Sequence, residues 1–104
     1  MIAESVEALE AEILRDALRV AAEEASIVVV KSAHSAMIVE GADACAGILD
    51  RQARLVALST ATNLMHAASL RCSLPAILED YPEESMQPGD VFVMNDCFRG
   101  GIHA

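Results

Sequence analysis

The sequence predicts an α+β protein built from a long N-terminal helix, a β-hairpin, a second helix and a further strand. Three observations predict this class. Apolar residues recur with a helical period in the first third of the chain and again from about residue 66. Two short apolar runs flank a turn-like tetrapeptide in the middle, and a four-residue apolar run follows a Pro-Gly turn near the end. With 104 residues the chain forms one domain at most, covering 1–104.

The first helix is predicted over residue 3 to about residue 33. Val6, Ile13, Val20 and Ile27 recur every seven residues, which places them on one side of a helix. Further apolar residues widen this side into a band that we expect to face the core: Leu14, Leu18, Ala21, Ala25 and Val28. The β-branched run 27–30 is also typical of a strand, but it continues the helical period, so we predict helix there.

The hairpin is predicted from the apolar runs 44–49 and 54–58. Asp50-Arg51-Gln52-Ala53 lies between them and suits a four-residue connection. Such a loop favours glycine at its last position, where φ is positive. Because Ala53 occupies that position, we predict a strained turn or a turn of another type.

The second helix is predicted from about His66 to Tyr81. Its apolar side comprises Met65, Leu70, Leu74, Ile77 and Leu78. Pro75 lies within it and removes one backbone donor, so we predict a kink or a restart at that point. The turn signal 87–90 then leads into Val91-Phe92-Val93-Met94, which we predict to be a buried strand.

Composition excludes several classes of function. Seven basic and 16 acidic residues give a net charge of −9, which repels phosphate backbones and argues against nucleic-acid binding. The longest uncharged stretch, 55–70, is too short and too polar to span a membrane. The N-terminus lacks the basic and apolar regions of a secretory signal, so we predict a cytoplasmic protein. Cys45, Cys72 and Cys97 are widely spaced and form no metal or redox motif.

Three histidines are the main candidates for chemistry. His34 lies at the end of the first helix, where the helix dipole favours a cation. His66 begins the second helix and has Ser69 within hydrogen-bonding reach, although no nucleophile motif surrounds it. As a structural alternative, His66 caps its helix or serves as a hydrogen-bond partner in the core. The acidic residues of the hairpin region, Glu40, Asp43 and Asp50, form either a carboxylate cluster or a polar face and turn.

His103 is the strongest candidate of the three. It follows Gly100-Gly101 in a loop that also carries Asp96. Histidine and carboxylate side chains in a loop beyond a strand are donors that a divalent metal prefers. The alternative is a solvated histidine on a surface loop. Arg99 beside the glycines suits either an anion or solvent. Since few residues follow this loop to complete a site, we expect the chain to be part of a larger domain.

Several stretches match one known family pattern in order. They are 14–18 with 22–24, Lys31-Ser32-Ala33-His34-Ser35, the hairpin 48–57, His66-Ala67-Ala68-Ser69-Leu70, Pro88-Gly89-Asp90-Val91-Phe92, and Asn95-Asp96 through Gly100-Gly101-Ile102-His103. With these the chain resembles the N-terminal part of the hydantoinase B/5-oxoprolinase family, which includes acetone and acetophenone carboxylase subunits. Cys97 and Phe98 stand where the family has Pro and Tyr, and Ala67 and Ala68 where it has Leu and Gly.

The resemblance implies a site and a partner. It implies that His103 is a ligand of a divalent metal, zinc or manganese, with an aspartate and a histidine beyond Ala104 completing the set. It also implies that His66 and Asp96 are catalytic residues of the same site. A hydantoinase A-like subunit would supply ATP-dependent activation of a cyclic amide of the hydantoin or 5-oxoproline type. The alternatives are a carboxylase subunit acting on a ketone, and a non-catalytic acidic module that pairs through its long helix.

Overall fold

The structure, a computed structural model, describes residues 1–60 and 64–102 and confirms the α+β class. Helix α1 (Ile2–Ser32) is followed by the short helix α2 (Ala36–Val39). Strands β1 (Gly47–Leu49) and β2 (Leu55–Leu58) form an antiparallel hairpin. Helix α3 (Leu64–Asp80) and a 3₁₀ turn (Glu83–Ser85) complete the regular elements. Within the described ranges, no helix is long and apolar enough to span a membrane.

Helix α1 confirms the predicted helix but not its predicted core-facing band. The residues that it buries are small: Ala22 is 1% exposed and Ser26 is 3% exposed. They lie four residues apart on one face of α1, which packs against β2. Small side chains let the helix and the strand approach closely, whereas Ile13 and most of the larger apolar residues are exposed on other faces. The band prediction was therefore wrong, because periodicity cannot tell which apolar face finds a neighbour.

A hydrogen-bonded polar contact fixes α1 beside the end of β2. Glu23 accepts hydrogen bonds from the Thr60 backbone N–H, at 2.7 Å, and from the Thr60 hydroxyl. Nearby, the buried hydroxyl of Ser59 accepts a hydrogen bond from the Ala46 N–H at 3.3 Å. These bonds satisfy backbone donors at the point where the hairpin ends.

The hairpin turn confirms the predicted connection and the strain at its end. Ala53 has φ of +61°, the left-handed conformation that favours glycine. Asp50 holds the turn, since Oδ1 accepts from the N–H groups of Gln52 and Arg54, each at 2.9 Å. The Arg54 backbone N–H, followed by its side chain, lowers the pKa of Asp50. Hydrogen bonds from an aspartate thus stabilise a turn that lacks its preferred glycine.

Helix α3 runs without interruption through Pro75, which lies inside it. The predicted restart was therefore wrong. Pro75 is exposed, so its ring is accommodated on the solvent side, and the helix loses only the one hydrogen bond that proline cannot donate. The continuous helix comprises 17 residues, from Leu64 to Asp80. The last segment of the chain contacts this helix.

Residues 91–94 are not the buried strand that we predicted. Within the described ranges the sheet has two strands, and neither pairs with this segment. Val91 and Val93 are 84% and 92% exposed, while Phe92 and Met94 are partly covered. The alternation is that of extended backbone, and Phe92 packs against Tyr81 with ring centroids 5.0 Å apart. The apolar run alone did not predict a strand correctly, because a strand also requires a partner edge.

Candidate functional site

The candidate site begins with a histidine–carboxylate pair. His66, in the first turn of α3, places Nε2 2.7 Å from Oδ1 of Asp43. The two side chains are 12% and 22% exposed. An ionised carboxylate can only accept, so Nε2 donates, and Nδ1 is then the nitrogen of a neutral ring that can accept a proton. The pair resembles the oriented histidine of many general bases.

The backbone around α2 positions Asp43. The Ala42 N–H donates to the Ile38 carbonyl at 3.1 Å, and the Asp43 N–H donates to the Met37 carbonyl at 3.2 Å. Ala42 has φ of +50°, which turns the chain sharply after α2 and directs it toward β1. Sequence analysis left open whether Asp43 belonged to a carboxylate cluster or to a polar face. The structure pairs it with a histidine 23 positions away, a distance at which sequence spacing carries no signal.

Asp96, predicted to be catalytic, organises the glycine loop 95–101. Its carboxylate accepts from the Phe98 N–H at 2.9 Å. Its carbonyl accepts from the N–H groups of Arg99 at 3.1 Å and Gly101 at 2.7 Å. Such a carboxylate-stabilised turn is a common role for aspartate. The structure therefore gives Asp96 a turn-forming role, and it is the loop, rather than the Asp96 side chain, that approaches α3.

The middle of the glycine loop lies directly on α3. A Cβ added at Gly100 would lie 2.7 Å from the Ser73 nitrogen and 2.8 Å from Cys72 Cβ, and Gly100 has φ of +110°. Only glycine allows this approach with this backbone conformation. The Ser69 hydroxyl donates a hydrogen bond to the Gly100 carbonyl. Sequence analysis placed Ser69 beside His66, and the structure shows that its hydroxyl holds the loop.

Arg99 fixes the same loop at the other end of α3. Its guanidinium donates to both oxygens of Asp80 at 2.6 and 3.1 Å, to Glu79 at 3.0 Å and to the Ala76 carbonyl at 2.9 Å. The hydrogen bond from Arg99 lowers the pKa of Asp80, and Asp80 in turn raises the pKa of Arg99. The Arg99 guanidinium is thus hydrogen-bonded to α3 and does not extend into solvent as an anion-binding group.

These contacts give the loop a direction along α3. Arg99 contacts residues 76–80, and Gly100 contacts residues 69–73, so the loop runs toward the N-terminal end of α3, where His66 lies. His66, Ser69 and Ser73 share one face of the helix because they are three and four residues apart. The histidine pair and the glycine loop therefore lie along the same side of α3. His103, the predicted metal ligand, lies outside the described residues.

The described residues hold two possible metal donors at this site, His66 and Asp43, and these are hydrogen-bonded to each other. Across 1–60 and 64–102, no group of three or more His, Cys, Asp or Glu side chains could hold a metal ion. A zinc site needs at least three protein ligands. The described residues therefore form a hydrogen-bonded histidine–carboxylate pair, and they do not by themselves fit a metal centre.

Comparison with known proteins identifies the family. A search of curated proteins and a search of solved structures found no match. The family model described as hydantoinase B/oxoprolinase matches residues 7–104. The match includes both parts of the candidate site, which are the His66–Asp43 pair and the glycine loop on α3. Because it covers nearly the whole sequence, the chain belongs to the hydantoinase B/oxoprolinase family.

Proposed function

We propose that the chain acts as part of a hydantoinase B-type subunit that opens cyclic amides of the hydantoin or 5-oxoproline type. Hydrolysis of cyclic amides is the activity for which the matched family is named. The observation that carries the proposal is the His66–Asp43 pair. Its two side chains are 12% and 22% exposed, and Nε2 and Oδ1 lie 2.7 Å apart on the face of α3 that also receives the glycine loop. Hydrolysis requires a group that accepts a proton from water and returns one to the leaving nitrogen, and an oriented histidine does both.

In this mechanism each residue of the candidate site has one role. Asp43 fixes the tautomer of His66 and stabilises the imidazolium that forms when Nδ1 accepts a proton from the attacking water. The same imidazolium then protonates the amide nitrogen as the ring opens. Arg99, Gly100 and the Ser69 hydroxyl hold the loop on α3, and Asp96 closes the turn within the loop. A hydantoinase A-like partner subunit would transfer the terminal phosphoryl group of ATP to the amide oxygen and release ADP. Attack of water and opening of the ring would then release inorganic phosphate.

We further propose that His103 binds a divalent metal of the zinc or manganese type. His103 follows Gly100 by three residues, which extend at most about 11 Å, and Gly100 contacts Ser69, one helical turn from His66. A metal bound there would polarise the amide oxygen or a water molecule. The remaining ligands would come from outside the described residues, since those residues hold no ligand set.

The test is ATP-dependent hydrolysis by the native protein together with its A-type partner. Hydantoin, 5-oxoproline, and acetone with bicarbonate are offered in separate reactions, and the product of each is quantified. We expect His66→Ala to lower kcat by about 10²- to 10⁴-fold and Asp43→Asn to lower it by a smaller factor. His34→Ala is the matched control, because His34 is an exposed histidine on the connection after α1.

Two results would refute the proposal. If His66→Ala kept the wild-type kcat, His66 would have no role in the reaction. Consumption of acetone and bicarbonate with no turnover of either cyclic amide would assign the chain to the carboxylase branch. For the metal, His103→Ala should lose bound zinc or manganese by elemental analysis, and full retention of the metal would reject the ligand assignment.

A further inference from the structure

The side of α1 that faces away from the hairpin carries a second apolar stripe. Its residues are large, apolar and between 47% and 61% exposed: Val6, Leu9, Ile13, Val20 and Ile27. At 3.6 residues per turn they lie within about 60° of one another, roughly opposite the buried Ala22 and Ser26. We name this stripe the outer face. It extends over roughly 30 Å of helix, and contiguous exposed apolar surface of this kind marks interaction sites.

The N-terminal half of α1 has no tertiary support in the described structure. Every described side chain before Leu18 is exposed. The ion pairs on it, Arg15 with Glu12 at 3.8 Å and Arg19 with Asp16 at 3.9 Å, are exposed, and such pairs contribute little. An isolated helix of this length is marginal in water. A partner that covered the outer face would supply the missing stabilisation.

Charge indicates which kind of partner fits. Seven acidic and three basic side chains give α1 a net charge of −4, and Glu10, Asp16 and Glu24 lie on or beside the outer face. A second copy would bring another net −4 against it, and like charges across an interface are unfavourable. We propose that the outer face binds a helix of another protein that is apolar on one side and carries lysine or arginine beside its apolar residues.

The experiment uses the full 104-residue chain and fluorescent synthetic helical peptides. The first peptide has leucine every three or four residues with flanking lysines, the second has the same composition in scrambled order, and the third carries glutamate in place of lysine. Anisotropy is measured at 50 and 300 mM NaCl. We expect the first peptide to bind more than about tenfold tighter than the other two, and to weaken at high salt because the attraction is partly ionic.

Variants locate the binding site on α1. Leu9→Ser combined with Ile13→Ser should weaken binding about tenfold or more, since two apolar contacts are lost. Val93→Ser is the control, because Val93 is an exposed apolar residue, at 92%, but lies on the 91–94 segment and not on α1. Glu10→Gln combined with Glu24→Gln should reduce the salt dependence of peptide binding, while the apolar contact between the peptide and the outer face stays unchanged. Circular dichroism at 222 nm confirms that each variant keeps its helix content.

Three outcomes would overturn the proposal. Equal binding of the ordered and scrambled peptides would show attraction by net charge only. Unchanged affinity in Leu9→Ser/Ile13→Ser would place binding elsewhere. A dimer of the chain that strengthens with salt would show that a second copy covers the outer face, since salt screens repulsion between two acidic helices.

Discussion

Replacing Gly100 with alanine tests whether the glycine loop is fixed on α3. Gly100 has φ of +110°, and an added Cβ would lie 2.7 Å from the Ser73 nitrogen. Gly89 is the matched control, because its φ is +96° while nothing lies within 4 Å of an added Cβ. Both alanines incur backbone strain of about 1–3 kcal/mol. Only Gly100→Ala also overlaps the helix, which adds about 1–3 kcal/mol.

The assay is urea unfolding of the full chain, followed by circular dichroism. We expect Gly100→Ala to lower the free energy of unfolding by about 1–3 kcal/mol more than Gly89→Ala does. If the loop instead detaches from α3, the global loss is smaller, and amide exchange at Gly101, whose N–H donates to the Asp96 carbonyl at 2.7 Å, speeds up in Gly100→Ala only. Equal stability losses with unchanged exchange in both variants would refute the docked loop.

Three further predictions concern the turn and the loop. Ala53→Gly should raise the free energy of unfolding by about 1 kcal/mol in urea titration, because glycine adopts φ of +61° without strain. Arg99 lowers the pKa of Asp80, so docking is fully stabilised above the ordinary carboxyl pKa of 3.8 and weakens as pH falls through the lower folded value. Exchange at the Arg99 amide should accelerate in that acidic range, and Asp80→Asn should reduce this pH dependence, because Glu79 remains as a second partner of Arg99. Ser69→Ala should speed exchange at Gly101 and Ser69→Thr should restore it, because the hydroxyl donates to the Gly100 carbonyl; equal rates would contradict this.

Local sequence patterns predicted the elements of the fold. Contacts between elements decided which faces are buried and which segments pair as strands. The helical period predicted α1 and α3, and the tetrapeptide 50–53 predicted a turn whose positive φ at Ala53 the structure confirms. Periodicity failed for the burial of α1, because α1 has two apolar faces and β2 packs against the one with small residues. It also failed for 91–94, because a strand requires an edge that the pattern of one segment cannot show.

The sequence indicated individual residues of the candidate site, but not which of them contact one another. His66 stood out because of its residue type, its helical position and the family resemblance. Its carboxylate partner did not stand out, since Asp43 is 23 residues distant and reaches His66 through the turn after α2. Sequence analysis left Arg99 open between an anion and solvent, and the structure binds it to α3. Asp96, predicted to be catalytic, also accepts a hydrogen bond that shapes the loop. Long-range contacts of this kind are absent from any sequence window, so they require the structure.

The positions where the loop departs from the family pattern do not hold it on α3. Cys97 and Phe98 replace Pro and Tyr, and both side chains are exposed, Phe98 by 95%. Docking depends instead on Gly100, on Arg99 and on the Ser69 hydroxyl. The two substitutions therefore change the outer surface of the loop and leave its attachment intact. Because the exposed phenylalanine lies beside the glycines, these two substitutions change the surface that the loop presents without disturbing its contacts with α3.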